Sequence, residues 1–204
     1  MNRIQTTDSS IMAIRNPNSL WAIVLAAGTA SRFGRPKLLE SYGGEPLICR
    51  ALRAAHHVAA GRVVLVTGHN NKAVELVANG LFDEAVYNPA FADGLGSSIA
   101  AGVRHCRGRA EAVLLLLADQ PLIDGAYLEK LIGKWCSSDA DIIMSEYNDT
   151  IGPPAIFSKS TFESLAVLSG DEGARPIVKS GRYNIATMGE QIENPDIDKP
   201  EDLQ

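Results

Sequence analysis

Four stretches of the chain are short, nearly continuous apolar runs: Leu20 to Ala27, Val63 to Val66, Val113 to Ala118 and Ile142 to Met144. Apolar runs without alternation suit strands covered on both faces, as in a parallel sheet, so all four are read as buried strands. Between them the spacing turns helical. After Pro46, the residues Leu47, Ala51, Leu52, Ala55 and Val58 share one face; after Asp124, an expected N-cap, Leu128, Leu131, Ile132 and Trp135 do the same. Weaker helix starts fall near Asn70 and at Ser97-Ser98, with a further strand at Ala85 to Tyr87. This alternation predicts a three-layer α/β/α, Rossmann-like fold with a mostly parallel central sheet, right-handed crossovers and ligands at the carboxyl ends of the strands. It loses regularity after residue 148, where Gly152-Pro153-Pro154 interrupts. Residues 1 to 18 show no period ahead of a strong first strand and are read as a flexible N-terminal extension, with 19 to 204 as a single domain.

Composition narrows the function. The hydrophobic share of 46% is ordinary for a soluble protein, and no run approaches the roughly 18 apolar residues that span a bilayer. No secretory pattern opens the chain, so a cytoplasmic location is expected. Cys49, Cys106 and Cys136 are odd in number and far apart, which fits reduced thiols filling helix or core positions. The net charge of −5 argues against a nucleic-acid surface, which needs a field of basic residues. A nucleotide needs positive charge in one pocket only, and Arg32, Arg35 and Lys37 crowd into one loop.

That loop, from Leu25-Ala26-Ala27-Gly28 through Ser31-Arg32-Phe33-Gly34-Arg35-Pro36-Lys37, directly follows the first strand. Small residues let backbone N–H groups approach phosphate oxygens, glycines supply positive φ, and the cations neutralise charge. Neither the Walker A nor the GxGxxG spacing is present. The residues alone fit a triphosphate loop or an ordinary strand-to-helix loop with a solvated basic tip. Asp119, ending the most apolar strand, is likewise either a strand-end cap or a Mg²⁺ ligand, since Mg²⁺ takes one or two carboxylates with phosphate oxygens and water.

The order LAAG-x(2)-S-R-F-G-x-P-K-L-L resembles the signature of the nucleotidyltransferases with a GT-A-like Rossmann fold, and most closely the MocA-like molybdenum cofactor cytidylyltransferases of the MobA-like superfamily. The resemblance runs over residues 20 to 203. It implies backbone contacts to the nucleotide from Leu25, Ala26, Ala27 and Gly28, further contacts from Ser31 and Arg32, and catalytic roles for Arg32, Lys37 and Asp119. The Asp119-Gln120-Pro121 segment is similar to the family's metal motif, and Asn194-Pro195-Asp196-Ile197-Asp198 to an acidic segment that returns to the metal, making Asp198 a second candidate ligand. Lys199 stands where threonine is usual, and Asp198 fits equally an N-cap with Pro200 at N1.

Thr67 and Gly68, followed by His69, and then Asn88, Gly94 and Ser97 match nucleotide-site segments of the same family. For the last three a capped helix start would require the same residue types. Asp171 and Arg175, in a GDxGAR segment, form an ion pair or contribute to substrate binding, with Arg175 on the pterin phosphate. Ala27 stands where guanylyl enzymes carry glycine, which favours CTP. The implied activity is Mg²⁺-dependent transfer of CMP from CTP to molybdopterin or molybdenum cofactor with release of pyrophosphate. A molybdenum hydroxylase would receive the product. Transfer to a sugar phosphate or methylerythritol phosphate, or cofactor carriage without catalysis, are the alternatives.

Overall fold

The computed structural model describes residues 15–28, 33–147, 150–189, 197, 202 and 203. The first apolar run forms β1 (Leu20–Ala26), and β2 (Ser41–Tyr42) and β3 (Glu45–Pro46) make a small hairpin ahead of α1 (Leu47–Ala59). Then follow β4 (Val63–Thr67), α2 (Asn71–Val77), β5 (Glu84–Tyr87), α3 (Leu95–Cys106) and β6 (Ala112–Leu117). The second half holds α4 (Gly125–Cys136), β7 (Ile142–Tyr147), β8 (Thr150–Ser158), α5 (Phe162–Leu165), α6 (Arg175–Lys179) and β9 (Ile185–Gly189). Asp124 caps α4 as its sequence position suggested, its Oδ1 accepting the Tyr127 N–H at 2.8 Å.

The main sheet has seven strands in the order β5-β4-β1-β6-β8-β7-β9. All pairings are parallel except those of β8, which runs against both β6 and β7. The sheet's two faces explain the unbroken apolar runs. In β1, Leu20, Ala22, Val24 and Ala26 face α1, α2 and α4, while Trp21, Ile23 and Leu25 face α3, α5 and α6. A strand buried on both sides cannot alternate with polar residues, and this burial supplies the main drive for folding. The result is the three-layer, mostly parallel α/β architecture that the sequence implied.

Two details differ from the sequence reading. Gly152-Pro153-Pro154 does not end the regular structure but lies inside β8, at a register shift opposite Met144 and Ser145. Proline lacks the N–H that a regular ladder requires, and a bulge is where a strand tolerates it. Arg15, within the expected extension, is held: its Nη1 donates to Ala140 O at 2.8 Å, and its guanidinium stacks over Trp135 at 5.3 Å. Residues 1–14 lie outside the described residues. No helix among the described residues is long and apolar enough to cross a membrane.

Candidate active site

From β1 the chain steps outward through β4 to β5 and then crosses back to β6 on the other side of β1, so a crevice opens between the carboxyl ends of β1 and β6. Leu25 pairs with Leu117 in register, and the two strands leave the sheet together. After β1 come Ala27 and Gly28; after β6 come Ala118 and Asp119. The glycine has open space where a side chain would stand, so its backbone is accessible to a ligand.

Lys37 enters from a short 3-10 turn, Lys37–Leu39, whose Leu38 and Leu39 pack on the core beneath. It is only 8% exposed, and its Nζ lies 2.8 Å from Asp119 Oδ2. The basic loop and the strand-end carboxylate, 82 residues apart, are therefore in direct contact rather than separated by a ligand-sized gap. Burying an ammonium is tolerable when a carboxylate neutralises it, and Asp119 does so.

The other carboxylate oxygen is different. Asp119 Oδ1 is buried and has no hydrogen-bond partner among the described residues. An unpaired buried acceptor typically costs about 1–3 kcal/mol, more when charged, so this oxygen favours a cation or a donor. A hard divalent cation fits the donor set: one carboxylate oxygen here, with phosphate oxygens and water completing the shell. No cluster of three metal-ligating side chains occurs among the described residues.

Ile197 adds a second approach to Asp119. Its N–H donates to Asp119 O at 3.2 Å, and its side chain is fully buried against Phe33 and Leu47. Ile197 is thus placed beside the end of β6. Asp198 itself lies outside the described residues, as do Ser31 and Arg32.

Two clefts meet here. The first, of about 300 Å³, is lined by Ala27, Gly28, Lys37, Gly94, Ser98 and Asp119, among others. The second, of about 670 Å³, extends under β8 and α6 and includes Gln120, Met144, Tyr147, Pro153, Arg175 and Lys179. Leu25, Leu95, Leu117 and Asp171 border both. Gln120 Nε2 and the Tyr147 hydroxyl both donate to Pro153 O, so the Gly-Pro-Pro stretch is tied to the residue next to Asp119.

The remaining candidates divide. Gly94 lines the first cleft, whereas Asn88 and Ser97 lie behind it in a buried network. Asn88 Nδ2 donates to Ser97 Oγ at 2.9 Å and Ser98 Oγ at 3.0 Å, and Ser97 Oγ donates to the Ala90 and Gly94 carbonyls. These side chains set the shape of the turn. The first N–H groups of α3 are partly committed too: Gly96 N–H goes to Gly170 O and Ser97 N–H to Gly94 O. Thr67 is fully buried and donates to Glu75, and Gly68 sits where a Cβ would come 2.5 Å from Phe91 Cβ. His69 is exposed, its ring 6.0 Å from that of Phe91. Asp171 and Arg175 form no ion pair among the described residues, so of the two readings of this segment the ion pair is not realised. Ser98, Leu95 and Gln120 were not singled out from sequence. The Ser97-Ser98 pair was the available signal for Ser98, and only the turn geometry shows which serine faces the cleft.

A mostly parallel sheet whose switch point brings Lys37, from the turn that follows β1, against Asp119, just past the end of β6, places the pair where open α/β sheets bind their ligands. Residues 22–186 match the MobA-like NTP transferase domain, and the chain belongs to this family of nucleotidyltransferases. It is 30% identical over 200 residues to the Purine catabolism protein PucB of Bacillus subtilis, covering 90% of this chain and 93% of that protein. Among solved structures it resembles Rv0371c from Mycobacterium tuberculosis, with 28% identity and a TM-score of 0.77 over 90% of this chain and 95% of that one. The complex of Rv0371c with manganese gives 27% and 0.75 over the same shares. Molybdopterin-guanine dinucleotide biosynthesis protein A from Archaeoglobus fulgidus shares the fold at 20% identity, covering 89% of this chain and 94% of that one with a TM-score of 0.62.

Proposed function

We propose that the chain is a cytidylyltransferase that moves CMP from CTP to molybdopterin or molybdenum cofactor, with Mg²⁺ as its metal. The observation that carries this reading is the pairing of buried Lys37 with Asp119 in the wall of the first cleft, with Asp119 Oδ1 left without a partner among the described residues. In the reaction an oxygen of the acceptor's phosphate bonds to the α-phosphorus of CTP, the bond from that phosphorus to the bridging oxygen breaks, and pyrophosphate leaves with the electron pair. Such transfer depends on positioning and on charge stabilisation, and it needs no protein nucleophile.

Lys37 and Asp119 would share the work. A divalent cation bound by Asp119, with Asp198 as a second candidate ligand, supplies neutralisation of the triphosphate and of the departing pyrophosphate. Lys37 places a fixed ammonium beside the same phosphates, in a setting that excludes most water. Leu25 to Gly28 would offer backbone to the nucleotide, with Ser31 and Arg32, outside the described residues, as the further contacts that the resemblance implies. The manganese complex of Rv0371c supports a divalent metal in this fold.

Three further points support the finer assignment. Ala27 puts a methyl group into the donor cleft where guanylyl enzymes carry glycine, a difference worth about 1–3 kcal/mol against a larger base. The second cleft combines apolar walls with Arg175 and Lys179 on one short helix, which suits a fused ring carrying a phosphate. The PucB relative is named for purine catabolism, which supports a molybdenum hydroxylase of the xanthine dehydrogenase type as the recipient.

The test is a matrix of Mg²⁺, each of the four nucleoside triphosphates and three acceptors: molybdopterin, a sugar phosphate and methylerythritol phosphate. Pyrophosphate and a CMP-linked pterin with CTP alone is the expected result. Pyrophosphate with another acceptor would move the assignment to that acceptor, and cofactor binding without turnover of any nucleotide would make the protein a carrier.

A further inference from the structure

Among the described residues Asp171 is the one acidic side chain that borders both clefts; Asp119 lines the first only and Glu172 the second only. It makes no ion pair or side-chain hydrogen bond among the described residues, and Arg175 four positions on does not neutralise it. Yet its position is tightly set. Gly170 N–H donates to Asp93 O at 2.7 Å and Gly96 N–H donates to Gly170 O at 2.8 Å, which lays the 169–171 segment across the turn opening α3. Two glycines make this approach possible. A Cβ on Gly94 would come 2.3 Å from Asp171 Oδ1, and one on Gly96 would come 2.6 Å from Ser169 O. Gly94 also has a φ of +90°, open to glycine and strained for other residues. The fold therefore holds an unneutralised carboxylate at the boundary between two ligand spaces.

Resting on the cytidylyltransferase reading, we infer that Asp171 reads the donor's ribose: its carboxylate accepts hydrogen bonds from the vicinal 2′- and 3′-hydroxyls and selects ribonucleotides. A carboxylate accepts hydrogen bonds and repels phosphate, so its partner must be a donor group on the substrate. Transfer occurs at the α-phosphorus, which must sit where the donor and acceptor clefts meet and within reach of Lys37 and Asp119. The group covalently next to that phosphorus is the sugar, while the base extends away along the donor cleft. Two carboxylate oxygens match a cis diol, the pairing by which strand-end carboxylates hold ribose in other doubly wound folds. Because backbone bonds pin the segment, only the Asp171 side chain has to be ordered when the nucleotide arrives, which keeps the ordering cost small.

The experiment compares CTP, 2′-deoxy-CTP and 3′-deoxy-CTP with the full chain and with Asp171→Ala and Asp171→Asn. Equilibrium binding and turnover are both measured. Wild type is expected to favour CTP by about 10- to 100-fold over either deoxy analogue, the range for a charge-assisted hydrogen bond. In Asp171→Ala the three nucleotides should converge to within a few-fold at unchanged melting temperature, with Asp171→Asn between. A wild-type preference that survives intact in Asp171→Ala overturns the inference while leaving the transferase reading standing. An equal loss for all three nucleotides also overturns it, since that marks a structural role. Binding that discriminates ribose without any turnover would instead uphold the inference and sink the transferase reading.

Discussion

Lys37 Nζ lies 2.8 Å from Asp119 Oδ2, and the same carboxylate keeps its second oxygen buried and unpaired among the described residues. The ammonium therefore occupies one half of the site proposed for a metal. A cation and the lysine compete for Asp119 until a triphosphate arrives to take the lysine's charge. Lys37→Ala is predicted to bind Mn²⁺ alone more tightly than wild type, read by the loss of free-ion signal in electron paramagnetic resonance. Its CMP transfer should fall on the order of 10²–10³-fold, as when a preorganised stabilising group is removed. Unchanged metal affinity would show that the pair does not guard the carboxylate.

The second cleft makes a separable prediction. Arg175 and Lys179 border that cleft and not the first. Arg175→Ala and Lys179→Ala should each raise the acceptor's KM by about tenfold, the loss of roughly one charge-assisted contact, and leave the KM for CTP in place. Steady-state kinetics with each substrate varied in turn would decide it. A shift in the nucleotide KM alone would place these cations on the wrong substrate.

Gly94 is predicted to be intolerant of a methyl group. At φ +90°, with Asp171 Oδ1 at 2.3 Å and Gly170 C at 2.5 Å from a built Cβ, Gly94→Ala meets both backbone strain and a backbone collision. The expected loss is about 1–3 kcal/mol, measured by urea unfolding with an unchanged slope. Gly34→Ala is the control: its φ is +72° but nothing lies within 4 Å of a built Cβ. Equal losses would reduce the Gly94 effect to backbone strain alone.

Glu84 carries a pH dependence far from the clefts. Its bidentate bond to Arg109 is the main cause of a carboxyl held below its ordinary 4.5; burial opposes this, and the His105 hydrogen bond reinforces it. A depressed carboxylate contributes stability that is fully present above 4.5 and disappears as pH falls through the lowered value. The group is partly solvated, so the contribution is at most about 1 kcal/mol. Glu84→Gln should lower the melting temperature slightly at pH 7, and the difference from wild type should shrink as the pH falls below 4.5. A constant difference across that range would assign the effect to packing.

The sequence was most informative where burial on two faces forbids polar residues. Val63 to Val66 and Val113 to Ala118 appear as strands with boundaries one residue from those observed. The second half was harder because β8 is antiparallel and carries Pro153 and Pro154, whose usual reading is a break. It pairs with the neighbouring β7, Tyr147 against Thr150, as well as with the more distant β6, and the two prolines hide the strand pattern of that local pairing. The site divides in the same way. Asp119 stands out as a charge at the end of a buried strand, and Lys37 through its crowded basic loop and the resemblance that the loop carries. The inward turning of Asn88 and Ser97, and the place of buried Ser98 in the cleft wall, depend on which way one turn of chain faces. The contact of Ile197 with Asp119 is a tertiary hydrogen bond that a flanking acidic motif only hints at.

Single-turnover transfer of CMP from CTP by wild type and Asp119→Asn addresses the central claim most directly. The amide keeps the shape of the side chain but removes the charge that faces Lys37 and would hold a divalent cation. A drop in the transfer rate on the order of 10²-fold or more, with the folded structure retained by circular dichroism, is predicted. Transfer by Asp119→Asn at a rate close to that of wild type would contradict the account.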